Sequence, residues 1–243
     1  MRTINAKSQS ISGFTLLEMI VCVAIMAIVV AGAVPVTSKV LSYKARNATR
    51  EELELLSGAC ADYFQDVSSF PATLEALIVQ PSAKLAPSWA GPYLPGVVTD
   101  KLTNKPGYLV DAWSRPYTLK ATGDVLRIRS LGEDATADSD DDLWIELDVT
   151  WIRREKTLER RDILNRAIGL YNSLYQSTDP LPADFTTARK KLVAAKLLPD
   201  DAVYATDAWG DAFVVDPAGK LPVVRVESIH LNGVANAAAK KGK

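Results

Sequence analysis

The sequence predicts an α+β fold: a long N-terminal α-helix whose first half is transmembrane, packed on a small antiparallel β-sheet, followed by a second helix-plus-sheet repeat. Three observations carry this. An apolar run of about 21 residues from Phe14 to Val34 is long enough, at about 1.5 Å per residue, to cross a bilayer core of about 30 Å. Beyond it Leu53, Leu56, Cys60, Tyr63 and Val67 recur at alternating spacings of three and four, which puts one apolar stripe on a helix that needs a sheet to cover. Several blocks of this first part then reappear, in the same order, in the second.

Composition narrows the function classes. The chain has 243 residues, 48% hydrophobic and 23% charged, so one large or two small globular domains are expected and a collagenous or wholly disordered chain is excluded. With 28 basic against 29 acidic side chains, nothing favours a nucleic-acid partner, and none is expected. Two cysteines, Cys22 and Cys60, cannot build a disulfide framework and read as small hydrophobes. A single histidine, His230, and no glycine-rich phosphate loop leave no catalytic constellation, so the chain is not expected to be an enzyme.

The elements follow in order. In the apolar run Glu18 is anomalous, because a carboxylate near the membrane centre costs about 2.5–3.5 kcal/mol. A secretory signal cut after Ala31-Gly32-Ala33 is the alternative for this segment. Arg2 and Lys7 precede the run, while Lys39, Lys44, Arg46 and Arg50 follow it, so a bare count of positive charge would leave the C-terminal side in the cytoplasm. Pro35 closes the run and lacks an amide, which loosens a helix there. Ser68-Ser69-Phe70-Pro71 ends the striped helix, Leu74 to Val79 reads as a short second one, and residues 81–106 form a proline-rich loop. Strand-like runs cover Tyr117 to Lys120, Val125 to Ser130 and Leu143 to Thr150.

Gly13-Phe14-Thr15-Leu16-Leu17-Glu18 resembles the processing motif of the type IV pilin superfamily, letter for letter. The resemblance implies that a prepilin peptidase cuts between Gly13 and Phe14 on the cytoplasmic side and methylates the new amine. That chemistry requires a cytoplasmic leader and so overrides the charge count. Glu18 then pairs with the amine of a neighbouring copy, so its buried charge is compensated only in a polymer. Pro35 falls where the superfamily commonly has proline.

The resemblance narrows to the major pseudopilins of type II secretion systems, the general secretion pathway protein G family. It rests on Phe70-Pro71, Leu74 to Leu77, Gly91 to Leu94, Asp111-Ala112-Trp113, Arg115-Pro116-Tyr117 and Ser130-Leu131-Gly132, in that family's order up to about Leu147. The family usually has proline where Ala112 stands. Six carboxylates, Glu133, Asp134, Asp138, Asp140, Asp141 and Asp142, crowd the turn after a strand, and a hard divalent cation would relieve their repulsion. The spacing is not that of an EF-hand. It resembles the pseudopilin calcium loop, which implies calcium held by Asp134 and Asp141, with Asp142 adjacent and the Leu131 carbonyl. Ala135 replaces that family's usual glycine.

In the second half Leu164, Ile168, Tyr171 and Tyr175 repeat the stripe; Leu181-Pro182-Ala183 echoes Phe70-Pro71-Ala72; Asp207-Ala208-Trp209 echoes Asp111-Ala112-Trp113; and residues 223–228 echo 125–130. The turn after Ser228 holds His230, Asn232 and Gly233 but no carboxylate, so the copy is not expected to bind calcium, and His230 reads as a surface or strand residue. Trp113 and Trp209 read as core anchors, and the mixed charges from Arg153 to Asp162 as an exposed helix start.

The expected organisation is a leader at 1–13, a transmembrane segment at 14–35, a periplasmic domain with the calcium-type loop at 36–152, a degenerate repeat at 153–233 and a flexible tail at 234–243. As the resemblance implies, the protein is a structural subunit of a periplasmic filament that drives export of folded proteins, single-pass in the bacterial inner membrane. Its partners are further copies, minor pseudopilins, the peptidase, the lipid bilayer, and an inner-membrane assembly platform with a cytoplasmic ATPase. A minor or tip pseudopilin, or a pilus subunit for adhesion or DNA uptake, is the alternative within the superfamily. A membrane-anchored enzyme or binding protein with a borrowed leader is the alternative outside it.

Overall fold

The computed structural model describes residues 15–81, 88–94, 107–215, 223 and 225–231, with side-chain exposure given from residue 15 to 29 and again from 39 onward. Helix α1 runs unbroken from Leu16–Val67, through Pro35. Thr15 caps it: the Thr15 hydroxyl accepts the Glu18 amide at 3.3 Å, and Glu18 Oε2 accepts the Thr15 amide at 3.0 Å. Its far end closes at Ser68, in the left-handed region (φ 60°), inside the expected break. Among the described residues no helix is long and apolar enough to cross a membrane; the described side chains of the expected segment end at Val29.

After α1 the expected short helix is a tight 3-10 turn, Leu74–Leu77. Residues 82–87 and 95–106 of the proline-rich loop lie outside the described residues. Three strands follow: β1 (Thr118–Thr122), β2 (Val125–Ser130) and β3 (Leu143–Asp148), antiparallel in the order β1-β2-β3. Three expected strand bounds shift, the end of β1 moving from Lys120 to Thr122, which pairs with Val125. Tyr117 precedes β1 because its buried ring reaches back to α1, where its hydroxyl donates to Glu52 at 2.7 Å. β3 stops at Asp148 because Val149 already caps the next helix. The stripe behaves as expected: Leu53, Leu56, Cys60 and Tyr63 are buried with Leu74, Leu77, Leu126 and Ile128 in one core. Burial pushes the Cys60 thiol up to about 12, so it packs as a hydrophobe.

Helix α2 (Thr150–Tyr175) begins directly after β3, and α3 (Phe185–Ala194) follows it. A two-stranded antiparallel sheet, β4 (Val214–Val215) and β5 (Val226–Glu227), completes the chain as described. Leu164, Ile168 and Tyr171 on α2 bury against Leu181, Phe185, Leu192, Phe213 and Val226 in a second core. Tyr175, the last of the expected stripe, is exposed. The sheet is extended by side chains: Asn165 accepts the Val226 amide at 2.7 Å and donates to its carbonyl at 3.3 Å, as a neighbouring strand would. Phe64, Val149 and Ile152 form a small third cluster joining the two units.

Candidate functional site

Two buried aspartates organise the two units in the same way. Asp111 sits in the turn before β1. Its Oδ1 accepts the amides of Trp113 (3.0 Å) and Arg115 (2.9 Å), and its Oδ2 accepts the Ser130 hydroxyl at 2.5 Å. Ser130 Oγ in turn accepts the Gly132 amide, and the Ala112 amide reaches Thr49 Oγ1 on α1. The turn thereby fastens the start of the acidic loop to the helix. A folded chain leaves such a buried carboxylate few alternatives, because each lost bond strands a donor.

The loop closes on itself. Gly132 has φ +63°, and a Cβ there would lie 2.5 Å from the Asp141 carbonyl and carboxylate oxygens. Asp141 Oδ2 accepts the amides of Glu133 (2.5 Å) and Asp134 (3.0 Å). The Ser139 hydroxyl lies within hydrogen-bond reach of Asp141 Oδ1 and 3.3 Å from Asp134 Oδ1. Ser139 chiefly, with those two amides, holds the Asp141 carboxyl at about 2. Ala135 and Asp138 adopt positive φ (59° and 66°), so the position expected to favour glycine does take the left-handed conformation. Arg115 donates to the carbonyls of Gly132 and Glu133, and Ser42 on α1 donates to Glu133 Oε2 at 2.7 Å.

The predicted ligands are therefore placed differently. Asp134 and Asp141 converge on Ser139, whereas Asp142 turns to Arg129, which donates to its Oδ2; its other oxygen, Oδ1, is buried without a hydrogen-bond partner. Leu131 is partly buried between Ser130 and Gly132. Among the described residues Asp134, Asp141 and Asp142 do not form a group of carboxylates close enough to share one ion, and Asp142 Oδ1 is left without a hydrogen-bond partner there. Of the processing residues, Gly13 and Phe14 lie outside the described residues, Glu18 occupies the cap of α1, and Pro35 lies within that helix.

The second aspartate, Asp207, repeats the arrangement. Oδ1 accepts the amides of Trp209 (2.9 Å) and Asp211 (3.0 Å), Oδ2 accepts the Ser228 hydroxyl at 2.6 Å, and Ser228 Oγ accepts the His230 amide. The Ala208 amide reaches Thr157 Oγ1 at 3.0 Å. Burial pushes the Asp207 carboxyl up, but Ser228, His230 and the two amides outweigh it and hold it below the usual range. Thr49 and Thr157 were not singled out by sequence reasoning. Each stands seven residues before the first repeated leucine of its stripe, Leu56 or Leu164, which was the available signal.

Two expectations are corrected here. Trp209 is no core anchor: its Nε1 donates to Asp124 Oδ2 of the β1–β2 turn at 2.8 Å, and its ring stacks on His230. Trp113 does pack against the first core. The charges at the start of α2 are a solvated face only in part: Arg154, Glu155, Glu159 and Asp162 are exposed, whereas Arg153 and Arg160 are engaged. Arg153 Nε lies 2.9 Å from Asp124 Oδ1, with its guanidinium 5.0 Å over the Phe64 ring, and Arg160 donates to the carbonyls of Thr206 and Asp207. Of the two expectations for His230, surface or strand, the strand is not met: it lies partly exposed in a short helical turn.

Comparison with known proteins agrees with the first unit. Residues 38–146 match the family of type II secretion system (T2SS) protein G, and residues 9–34 match the prokaryotic N-terminal methylation motif. The type II secretion system core protein G of Pseudomonas aeruginosa is 29% identical over 144 residues, covering 54% of this chain and 92% of that protein. No solved structure matches. Residues 38–146 thus carry a type II secretion system protein G domain behind an N-terminal methylation motif, a combination that supports a type IV pilin-like pseudopilin subunit of type II secretion.

Proposed function

We propose that this pseudopilin is cut after Gly13, methylated at Phe14, held single-pass in the inner membrane, and polymerised with minor pseudopilins into a periplasmic filament. One observation supports the reading most directly. From Leu16 to Val29 the apolar side chains of α1, including Leu16 (78% exposed) and Ile28 (73%), have no cover among the described residues, and lipid or the helices of other copies would supply it. Among the described residues Glu18 bonds Thr15 alone, at the head of that bare helix. Assembly exchanges this local cap for the methylated amine of a neighbour. Glu18→Ala should therefore be processed normally but be lost from sheared filaments. N-terminal sequencing of the mature chain should return methyl-phenylalanine at Phe14, and a chain still carrying its leader would end the proposal.

The acidic loop is the calcium site in this reading, with Asp134 and Asp141 as side-chain ligands, Asp142 beside them and the Leu131 carbonyl completing the set. Calcium would neutralise the crowded carboxylates and stabilise the first unit by mass action. A higher melting temperature in millimolar calcium than in chelator, lost in Asp134→Asn, is the expected result; coincident midpoints would remove calcium from the account.

The second unit is a degenerate copy of the first. The matching hydrogen bonds around Asp111 and Asp207 support this, as does the matching pair Thr49 and Thr157. Because that extra unit enlarges each subunit beyond the family's domain, a tip position is the second reading. Counting copies in sheared filaments by quantitative mass spectrometry separates a wall subunit from a tip subunit.

A further inference from the structure

The two aspartate turns differ at four positions, two of which assemble a different set of donor atoms. In the first unit the residue four after the aspartate is Arg115, which spans to the carbonyl of Gly132, two residues after the hub serine. In the second unit the same two positions are Asp211 and His230, and they face each other: His230 Nε2 lies 3.5 Å from Asp211 Oδ2. Among the described residues, Asp207, Asp211 and His230 are the group of histidine and carboxylate donors close enough to share one ion.

The imidazole is prepared for one role. Asp207 Oδ2, which also accepts the Ser228 hydroxyl, lies 2.9 Å from His230 Nδ1, and an ionised carboxylate can only accept there. In the neutral ring Nδ1 therefore carries the proton, and Nε2, 3.5 Å from Asp211 Oδ2, keeps its lone pair. A histidine that donates its other nitrogen to a buried carboxylate has the support usual for a metal ligand, which fixes both tautomer and ring orientation. Stacking on Trp209, centroids 4.7 Å apart and planes 19° apart, restrains the ring further. The spacing fits as well. With metal–nitrogen and metal–oxygen bonds of about 2.0–2.2 Å, the edge of a tetrahedral zinc site is about 3.4 Å.

We propose that His230 Nε2 and Asp211 Oδ2 bind a borderline-soft divalent cation of the zinc class at the surface of the second unit, with water completing the coordination. Asp207 is a positioning residue there, since all its oxygens are engaged by Trp209, Asp211, Ser228 and His230. The site is independent of the calcium reading, because an imidazole nitrogen selects zinc, copper or nickel over calcium.

His230 is the chain's single histidine, so every imidazole signal belongs to it. In the untagged full chain in detergent micelles, ¹⁵N-histidine spectra should show the proton on Nδ1. Zinc chloride, titrated to about 1 mM, should shift the Nε2 resonance saturably, as expected for direct coordination, while calcium chloride should leave it in place. Saturable zinc uptake, followed by calorimetry, should disappear in His230→Gln and weaken at least tenfold in Asp211→Asn, whose side chain is exposed and outside the core; Asp134→Asn should leave it unchanged. An imidazole unmoved by zinc, or uptake equal in Asp211→Asn and the parent, would overturn the proposal and leave His230 as an ion-pair partner of the two aspartates.

Discussion

The Asp111 turn and the Asp207 turn are built from the same hydrogen bonds yet support different surroundings. Around Asp111 the chain continues through Gly132 into an acidic loop that folds back on Asp141 and touches α1 through Ser42. Around Asp207 it continues into a helical turn whose histidine returns to the aspartate itself. What the two share is the means of fastening a turn to a helix, with a carboxylate accepting amides and a serine hydroxyl and a threonine accepting the next amide. What differs is the surface that the fastening holds in place. The same fastening can therefore hold two different surfaces in the two units.

The largest test of this comparison removes the shared part. Asp111→Ala and Asp207→Ala each strand several buried donors, at a cost of about 3–5 kcal/mol. Chemical denaturation followed by hydrogen exchange should show the loss in the first unit for one variant and in the second for the other. Loss of protection in both units from either change would show that they form one cooperative body.

The next test breaks the difference. Gly132→Ala combines a left-handed backbone with a Cβ driven against Asp141, so it should cost about 2 kcal/mol and disorder the acidic loop while leaving the second unit intact. A smaller loss, about 1 kcal/mol, is expected from Trp209→Phe, which removes the Nε1 bond to Asp124 but keeps most of the ring contact. Its signature would be faster amide exchange at the β1–β2 turn, with both cores unchanged.

Acid gives the smallest effect. Because Asp141 is held at about 2 when folded, against about 3.9 when unfolded, the loop gains stability that is fully present above pH 4 and lost as pH falls through about 2. Asp141→Asn should flatten that limb of the stability profile. An unchanged limb would show that the closure does not depend on the ionised carboxylate.

Where periodicity was strong the sequence was legible. The stripe on α1, the end of that helix and strand β2 at Val125–Ser130 were all readable, because each depends on local pattern and flanking breakers. Helix α3 was missed although Asp184 caps it and Phe185, Ala188 and Leu192 bury at helical spacing; a ten-residue helix after a proline-containing turn offers too short a periodic signal. The role of Trp209 was not legible at all, since its partner Asp124 lies far away along the chain. Of the acidic residues, Asp134 and Asp141 were singled out through the resemblance to the pseudopilin calcium loop, but only the fold shows that Asp142 faces Arg129.

One short junction reaches beyond both sites. β3 ends at Asp148, Val149 caps α2, and Val149 and Ile152 are buried against Phe64, so no tether separates the units. In a helical stack every copy would carry its appended lobe at one fixed bearing, and the fibre would wear a raised spiral ridge, like the thread of a screw. Whatever surrounds such a shaft must either leave clearance for that ridge or engage it on each turn.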